Sequence, residues 1–186
     1  MAITINGSGT LSGVTAGLTG ASMPSGSVLQ VKSTTKTDYE SQSLAEDTWW
    51  HYSDSSLRAT LTPIASNSII LLSAQLTIGE ARGQWYAFKF MKDGTTDITD
   101  VIGDAASNRD RVTGCIDKST HDDNNRTINL QAVTTAGDTN ERYYNLAIKH
   151  SSGQTRTMEI NRAPNDIDNY LYWRGISTIT AMEIKA

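Results

Sequence analysis

Two runs carry the strongest pattern in the chain. Apolar residues fall at Ile70, Leu72, Ala74, Leu76 and Ile78 in the first, and at Tyr86, Phe88 and Phe90 in the second. A strand turns successive side chains to opposite faces, so each run predicts a β-strand with one buried face. The connection 79–84 holds Gly79 and Gly83, residues able to take φ > 0, and predicts that Ile69–Ile78 and Trp85–Met91 pair as an antiparallel hairpin. The rest of the chain is expected to close over the apolar face of that hairpin. Its outward polar positions, Ser73, Gln75, Thr77 and Lys89, are then the places to look for a subunit contact.

Shorter stretches repeat the device. Leu29 and Val31 are expected to point inward from a strand starting near Val28, and Leu57–Leu61 forms another before Pro63 ends it. Residues 39–54 read as an irregular loop with some strand near its aromatics. Ile98–Ile102 and Arg111–Ile116 read as short extended pieces separated by a tight loop at 103–109. Further strands place Ile128, Leu130 and Ala132, then Tyr144, Leu146 and Ile148, then Met158 and Ile160 on core faces, and Ile176–Ile184 supplies the last. Roughly nine to eleven short strands at this spacing predict an all-β fold, an antiparallel β-sandwich or barrel.

Composition divides the chain in two. Residues 1–27 are dominated by Gly, Ser and Thr, with isolated apolar residues at Ile3, Ile5, Leu11, Val14 and Leu18. Such a stretch is either a free linker or an extended arm that packs onto a neighbour, and the arm is the preferred reading because ordering so much glycine needs a partner. Residues 28–186 are then the sandwich head. With 16 Lys+Arg against 20 Asp+Glu the net charge is -4, which gives no general field for nucleic acid or anionic lipid. The start of the chain has no secretory pattern, and no run approaches the ~20 apolar residues of a membrane span. These features imply a soluble protein with neither nucleic acid nor membrane as partner. Cys115 is the single cysteine, read as a buried structural thiol suited to a reducing cytosol.

Candidate chemistry is sparse. Trp49, Trp50, His51 and Tyr52 form the densest aromatic patch, with Trp49 and His51 on one side of a strand and Trp50 and Tyr52 on the other. One pair is expected in the core and the other at an interface or ligand. Tyr170, Tyr172 and Trp173 make a second patch, either packed over the sandwich end or exposed for binding. The polar run His121–Asn125 offers oxygen ligands but lacks the spacing of a calcium loop, so it reads as a solvated turn and no metal site is expected. Asp104, Asn108, Arg109, Asp110 and Arg111 read as a local ion-pair network or a subunit contact. No nucleophile elbow, phosphate-cradling loop or zinc helix is present, and no carboxylate pair is singled out for glycoside hydrolysis. No enzymatic activity and no cofactor are expected.

Four stretches carry a resemblance: Met1–Thr10 through Pro24–Val31, Gly103–Arg109, Arg174–Ile184, and Leu61–Pro63 leading into Ser66–Leu71. In these the chain resembles small virion structural proteins of tailed bacteriophages, especially marine and cyanobacterial ones, of the tail-fibre-like or head-decoration kind. The resemblance implies a jelly-roll-like fibre or knob domain, a homotrimer, fixed by its N-terminal arm to another virion protein such as capsid, portal, adaptor or baseplate. It implies a place in the virion after assembly in the host cytoplasm, and it transfers no catalytic residues. The competing expectation is a receptor- or carbohydrate-binding tip that holds a host surface glycan through Trp49, Trp50 and Tyr52 or through Tyr170, Tyr172 and Trp173. A glycan hydrolase is a distant third.

Overall fold

The structure, a computed structural model, describes residues 4–5, 11–12, 23–52, 54–80, 83–117, 124–151, 153–170 and 172–186. Most of the expected N-terminal arm, with the side chains of Ile3, Ile5, Leu11, Val14 and Leu18, lies outside that description, as do His121, Asp122 and Asp123. Within it, Thr4–Ile5 (β1) and Leu11–Ser12 (β2) pair antiparallel.

The strands that follow are β3 (Val28–Lys36), β4 (Glu40–Leu44), β5 (Trp50–Tyr52), β6 (Ala59–Leu61), β7 (Ile69–Glu80), β8 (Trp85–Lys92) and β9 (Thr96–Asp97). They continue with β10 (Gly114–Ile116), β11 (Asn124–Thr135), β12 (Arg142–Ser151), β13 (Arg156–Ile160) and β14 (Ser177–Ile184). Two antiparallel sheets result. The first runs β3-β14-β7, with β13 and β4 extending it along the same edge of β7 and β11 on the other edge; the second runs β10-β8-β12-β5, with β6 also on β12 and β9 on β8.

The β3–β4, β5–β6 and β13–β14 pairs each act as one interrupted strand, which leaves eight: these three with β7, β8, β10, β11 and β12. The first then neighbours the eighth, the second the seventh, the third the sixth and the fourth the fifth. Four nested antiparallel pairs rolled into two facing sheets make a jelly roll. The all-β sandwich expected from strand spacing is therefore the fold, and its topology is of that kind.

The long apolar runs do not form a hairpin. Their alternation correctly places Ile70, Leu72, Ala74, Leu76 and Ile78, and Tyr86, Phe88 and Phe90, in the core. However, β7 and β8 stand in opposite sheets with those faces turned toward each other. Strand β7 has both edges occupied, by β11 along its whole length and by β14 then β13 on the other side, while β8 takes β10 and β12. Alternation reports which face is buried; it does not report which strand lies alongside. Tyr144, Leu146 and Ile148 of β12 and Ile179 and Ala181 of β14 complete the interior. Each large apolar side chain fully buried there contributes about 1.5–3 kcal/mol.

Other expectations change as well. Val31 points outward and is about half exposed, because β3 is an edge strand whose inward positions are Gln30, Lys32, Thr34 and Lys36. Thr77, expected outside, is buried, with its hydroxyl donating to the Ile176 carbonyl (2.9 Å). Residues 39–54 contain β4 as well as the aromatic strand. Ile98–Ile102 is a 3-10 turn over Thr99–Val101, and the strand expected over Arg111–Ile116 shrinks to Gly114–Ile116. Cys115 is exposed, since β10 is an outer strand whose inward neighbours are Gly114 and Ile116.

Candidate functional site

The outer face of the second sheet is built round a small residue. Alternation that buries Tyr86, Phe88 and Phe90 sends Trp85, Ala87 and Lys89 outward. Register then places Cys115 of β10 and Lys149 of β12 on either side of Ala87, and Ser151 beside Trp85. With only a methyl group at its centre, this part of the sheet is hollow. The depression has a volume of about 310 Å³ and is walled by Trp85, Cys115, Ile116, Asp117, Lys149 and two carboxylates from loops, Asp47 and Asp110.

Those carboxylates fix Lys149. Its Nζ donates to Asp110 Oδ2 (2.6 Å) and lies 3.4 Å from Asp47 Oδ1. The hydrogen bond from Lys149 holds the Asp110 carboxyl below the usual range, against its own partial burial. Asp47 reaches the site from a turn it enters at φ 51. Trp49 covers the same cluster, its ring centroid 4.2 Å from Lys89 Nζ and 5.9 Å from Lys149 Nζ, while Lys89 Nζ also bonds Asp97 Oδ1 (3.1 Å). The result is an aromatic wall at Trp85, a shallow apolar floor and a pinned row of charges.

The loop 102–113 presents Asp110. It is closed by Gly103 N–H to the Val112 carbonyl (3.1 Å) and by Arg111 Nε to the Gly103 carbonyl (2.5 Å). Of the residues expected there, Arg111 braces the loop through a backbone carbonyl, Asp104, Asn108 and Arg109 stand exposed on it, and Asp110 pairs with Lys149 of β12.

The first aromatic patch is split as alternation requires. Trp50 packs against the core and meets Tyr52 edge-to-face at 4.9 Å. Tyr52 is fully buried, its hydroxyl bonded to Glu40 Oε2 (2.7 Å) and Ser56 Oγ (3.0 Å), so it is removed from the set of ligand-contacting aromatics. Burial, with that bond to Glu40, pushes the Tyr52 phenol well above its ordinary range.

Tyr170, Tyr172 and Trp173 sit on a separate excursion, residues 161–176, which leaves the first sheet between β13 and β14. Arg174 clamps it through Nε to Asp166 Oδ1 (3.2 Å) and Nη2 to Asp166 Oδ2 (2.5 Å), and Arg162 joins Asp166 to Glu159. Tyr39 lies under both guanidinium groups, at 4.4 and 5.1 Å. Tyr170 is 84% exposed and Trp173 72%. The excursion is thus braced at its base and presents aromatics at its tip. It belongs to the first sheet, and the groove beside Trp85 belongs to the second.

Trp85 is a residue that the sequence reading does not single out, although the outward phase of its strand is the available signal. No helix of the described residues is long and apolar enough to cross a membrane, and among them no group of three or more His, Cys, Asp or Glu is placed to hold a metal ion.

No protein-family model and no curated protein matches the chain. Solved structures of infectious bursal disease virus are similar in fold. The Gt strain aligns at 16% identity over 87% of this chain and 39% of that chain, with a TM-score of 0.45. The VP2 subviral particle aligns at 14% over 84% and 37%, with a TM-score of 0.44. This chain therefore spans well under half the length of those proteins, and similarity at this level says nothing about what it does.

Proposed function

We propose that the protein is a non-enzymatic structural component of a virion, of the tailed-phage kind that its sequence resembles. In this reading the jelly-roll head forms an oligomeric fibre, knob or capsid decoration, a homotrimer by that resemblance. Residues 1–27 attach it to another virion protein, with Ile3, Ile5, Leu11, Val14 and Leu18 as apolar pegs and the glycines allowing close approach. The observation that carries the reading is two separate groups of apolar residues left exposed on the head: Val28, Val31 and Val133 on the first sheet, and Ile167, Tyr170 and Trp173 on the excursion. Surfaces of this kind mark contacts with other molecules.

The experiment is particle incorporation of the full chain with Ile3, Ile5, Leu11, Val14 and Leu18 all replaced by Ser. The reading expects the folded head to be lost from purified particles. Incorporation at the normal level overturns attachment through residues 1–27.

The groove beside Trp85 favours a second reading, a tip that binds a host surface glycan. An indole wall suits the apolar face of a sugar ring, and Asp47, Asp110 and Lys149 present hydrogen-bonding groups at its rim. The two readings are compatible, since one head can both build and bind.

A further inference from the structure

The register of the first sheet lines up its outward side chains in rows across β3, β14, β7 and β11. One row is Val31, Met182, Leu71 and Val133. The row beside it, toward the end of β14, carries Val28, Ile184, Ile69 and, at its β11 end, Thr135. The rows on the other side change character abruptly to Ser33, Thr180, Ser73 and Gln131, and then to Thr35, Thr178, Gln75 and Asn129. One half of this face is therefore apolar except for Thr135 at its β11 edge, and the other half is hydroxyl and amide. No position in these rows is charged, on a chain of net charge -4.

We propose that this face binds the same face of a second copy of the chain, across a two-fold axis parallel to the strands. Such an axis lays every row on its own counterpart. Val31 of one copy meets Val133 of the other, Met182 meets Leu71, and the hydroxyl rows meet hydroxyl rows. A face that is uncharged and sorted by rows satisfies this arrangement without placing like charges together, and the one apolar group it sets against a polar one is Val28, opposite Thr135 at the rim.

One edge of the same sheet, β3, is guarded instead. Strand β3 carries the buried Lys36, its Nζ held by Asp38 (2.8 Å) and Glu40 (3.5 Å), while Lys32 on the same side of the strand reaches solvent. An inward charge on an edge strand opposes edge-to-edge addition along β3, and the flat face is the surface proposed for self-association. Four strands ~4.8 Å apart and ~24 Å long give a flat projection of roughly 450 Å², against about 800 Å² per partner in a standard interface. The contact is accordingly of the weaker class, one that operates at the high local concentration of an assembly. It is a two-fold contact, separate from any three-fold one, and it does not depend on where the protein resides.

The test uses the purified full chain with Cys115→Ser to remove the exposed thiol. Val31→Cys and Val133→Cys are introduced together and treated with a short bismaleimide crosslinker. Facing sheets stand ~10 Å apart, so the thiol at position 31 of one copy and the thiol at position 133 of the other are within reach, whereas the thiols at position 31 of the two copies are offset sideways by a further ~14 Å. A covalent dimer is expected from the double variant, with little from Val31→Cys alone. Leu71→Lys in the same background should cut the yield roughly tenfold, because it places an unpaired charge at the contact, and Leu71→Ser should cut it less, with circular dichroism unchanged in both. A yield no greater than that of the single-cysteine chain, or one indifferent to Leu71→Lys, overturns the proposal.

Discussion

Ser177 Oγ donates a 2.6 Å hydrogen bond to Asn161 Oδ1, and this pair lies where β13 gives way to β14 along one edge of β7. Asn161 takes φ 64, a conformation asparagine tolerates better than most side chains, and its Nδ2 donates to the carbonyls of Lys36 and Asp38, both at 2.9 Å. Ser177 Oγ in turn accepts from Thr77 N–H (3.1 Å). Two buried side chains thus join the β3–β4 corner, the central strand and both ends of the aromatic excursion. Asn161→Ala strands those carbonyls and keeps a β-carbon at positive φ, so a loss of about 3 kcal/mol is expected in urea unfolding. Asn161→Gly relieves only the backbone part and should recover only part of that loss.

Gly79 has a different constraint. A β-carbon there would lie 2.2 Å from the Arg162 carbonyl oxygen, which is backbone and cannot turn aside. Gly79→Ala is therefore expected to give mostly insoluble protein, or a midpoint lowered by several degrees for whatever folds. Gly83, with open space at its β-position but φ 85, should respond more mildly to the same change.

Glu183 is one source of acid sensitivity. Burial favours its neutral form, yet its carboxyl is held below the ordinary value of 4.5 by hydrogen bonds from Gln30 Nε2 (2.6 Å) and the Ile64 N–H (2.8 Å), among others. A carboxyl lowered on folding adds stability that is complete above its unfolded value and is lost as pH falls from there through the folded one. Glu183→Gln should cost about 1–3 kcal/mol at pH 7. The difference from the parent should shrink below pH 4.5, as followed by urea unfolding at several pH values.

The groove reading is checked by Trp85→Ala. The indole is 44% exposed on the outer face, so the change should leave thermal stability nearly unchanged while abolishing binding on a panel of host surface glycans. Trp50→Ala, by contrast, removes a ring packed on the core and should lower stability first. Equal glycan binding by the Trp85→Ala and parent chains would remove the groove as the recognition site.

Much of this fold is legible along the chain because period-two alternation is a local property. Tyr86, Phe88 and Phe90 can be assigned to a buried face from their spacing alone, and so can Tyr144, Leu146 and Ile148. The partner of each strand cannot, because the pairing of β7 with β11 and β14 is decided by residues far away in sequence. Val31 reads as inward and lies outward because its face is set by pairing with Met182 past a register shift at Glu183/Ile184, and one strand contains no sign of that. The groove is the plainest case: Ala87, Cys115, Lys149 and Asp110 come from four separate segments, and only the register of β8 against β10 and β12 gathers them. Asn161, just past one expected strand, and Ser177, inside another, give no sign in the sequence that their side chains meet, for the same reason.

The central proposal, that this chain is a built-in part of a virion, is tested most directly by quantitative mass spectrometry of gradient-purified virus particles from cells in which its gene is expressed, together with immunogold labelling. The account predicts a fixed copy number per particle and gold at one symmetric location on the virion. Absence of the chain from purified particles, with the protein recovered only from infected-cell extract, would contradict it.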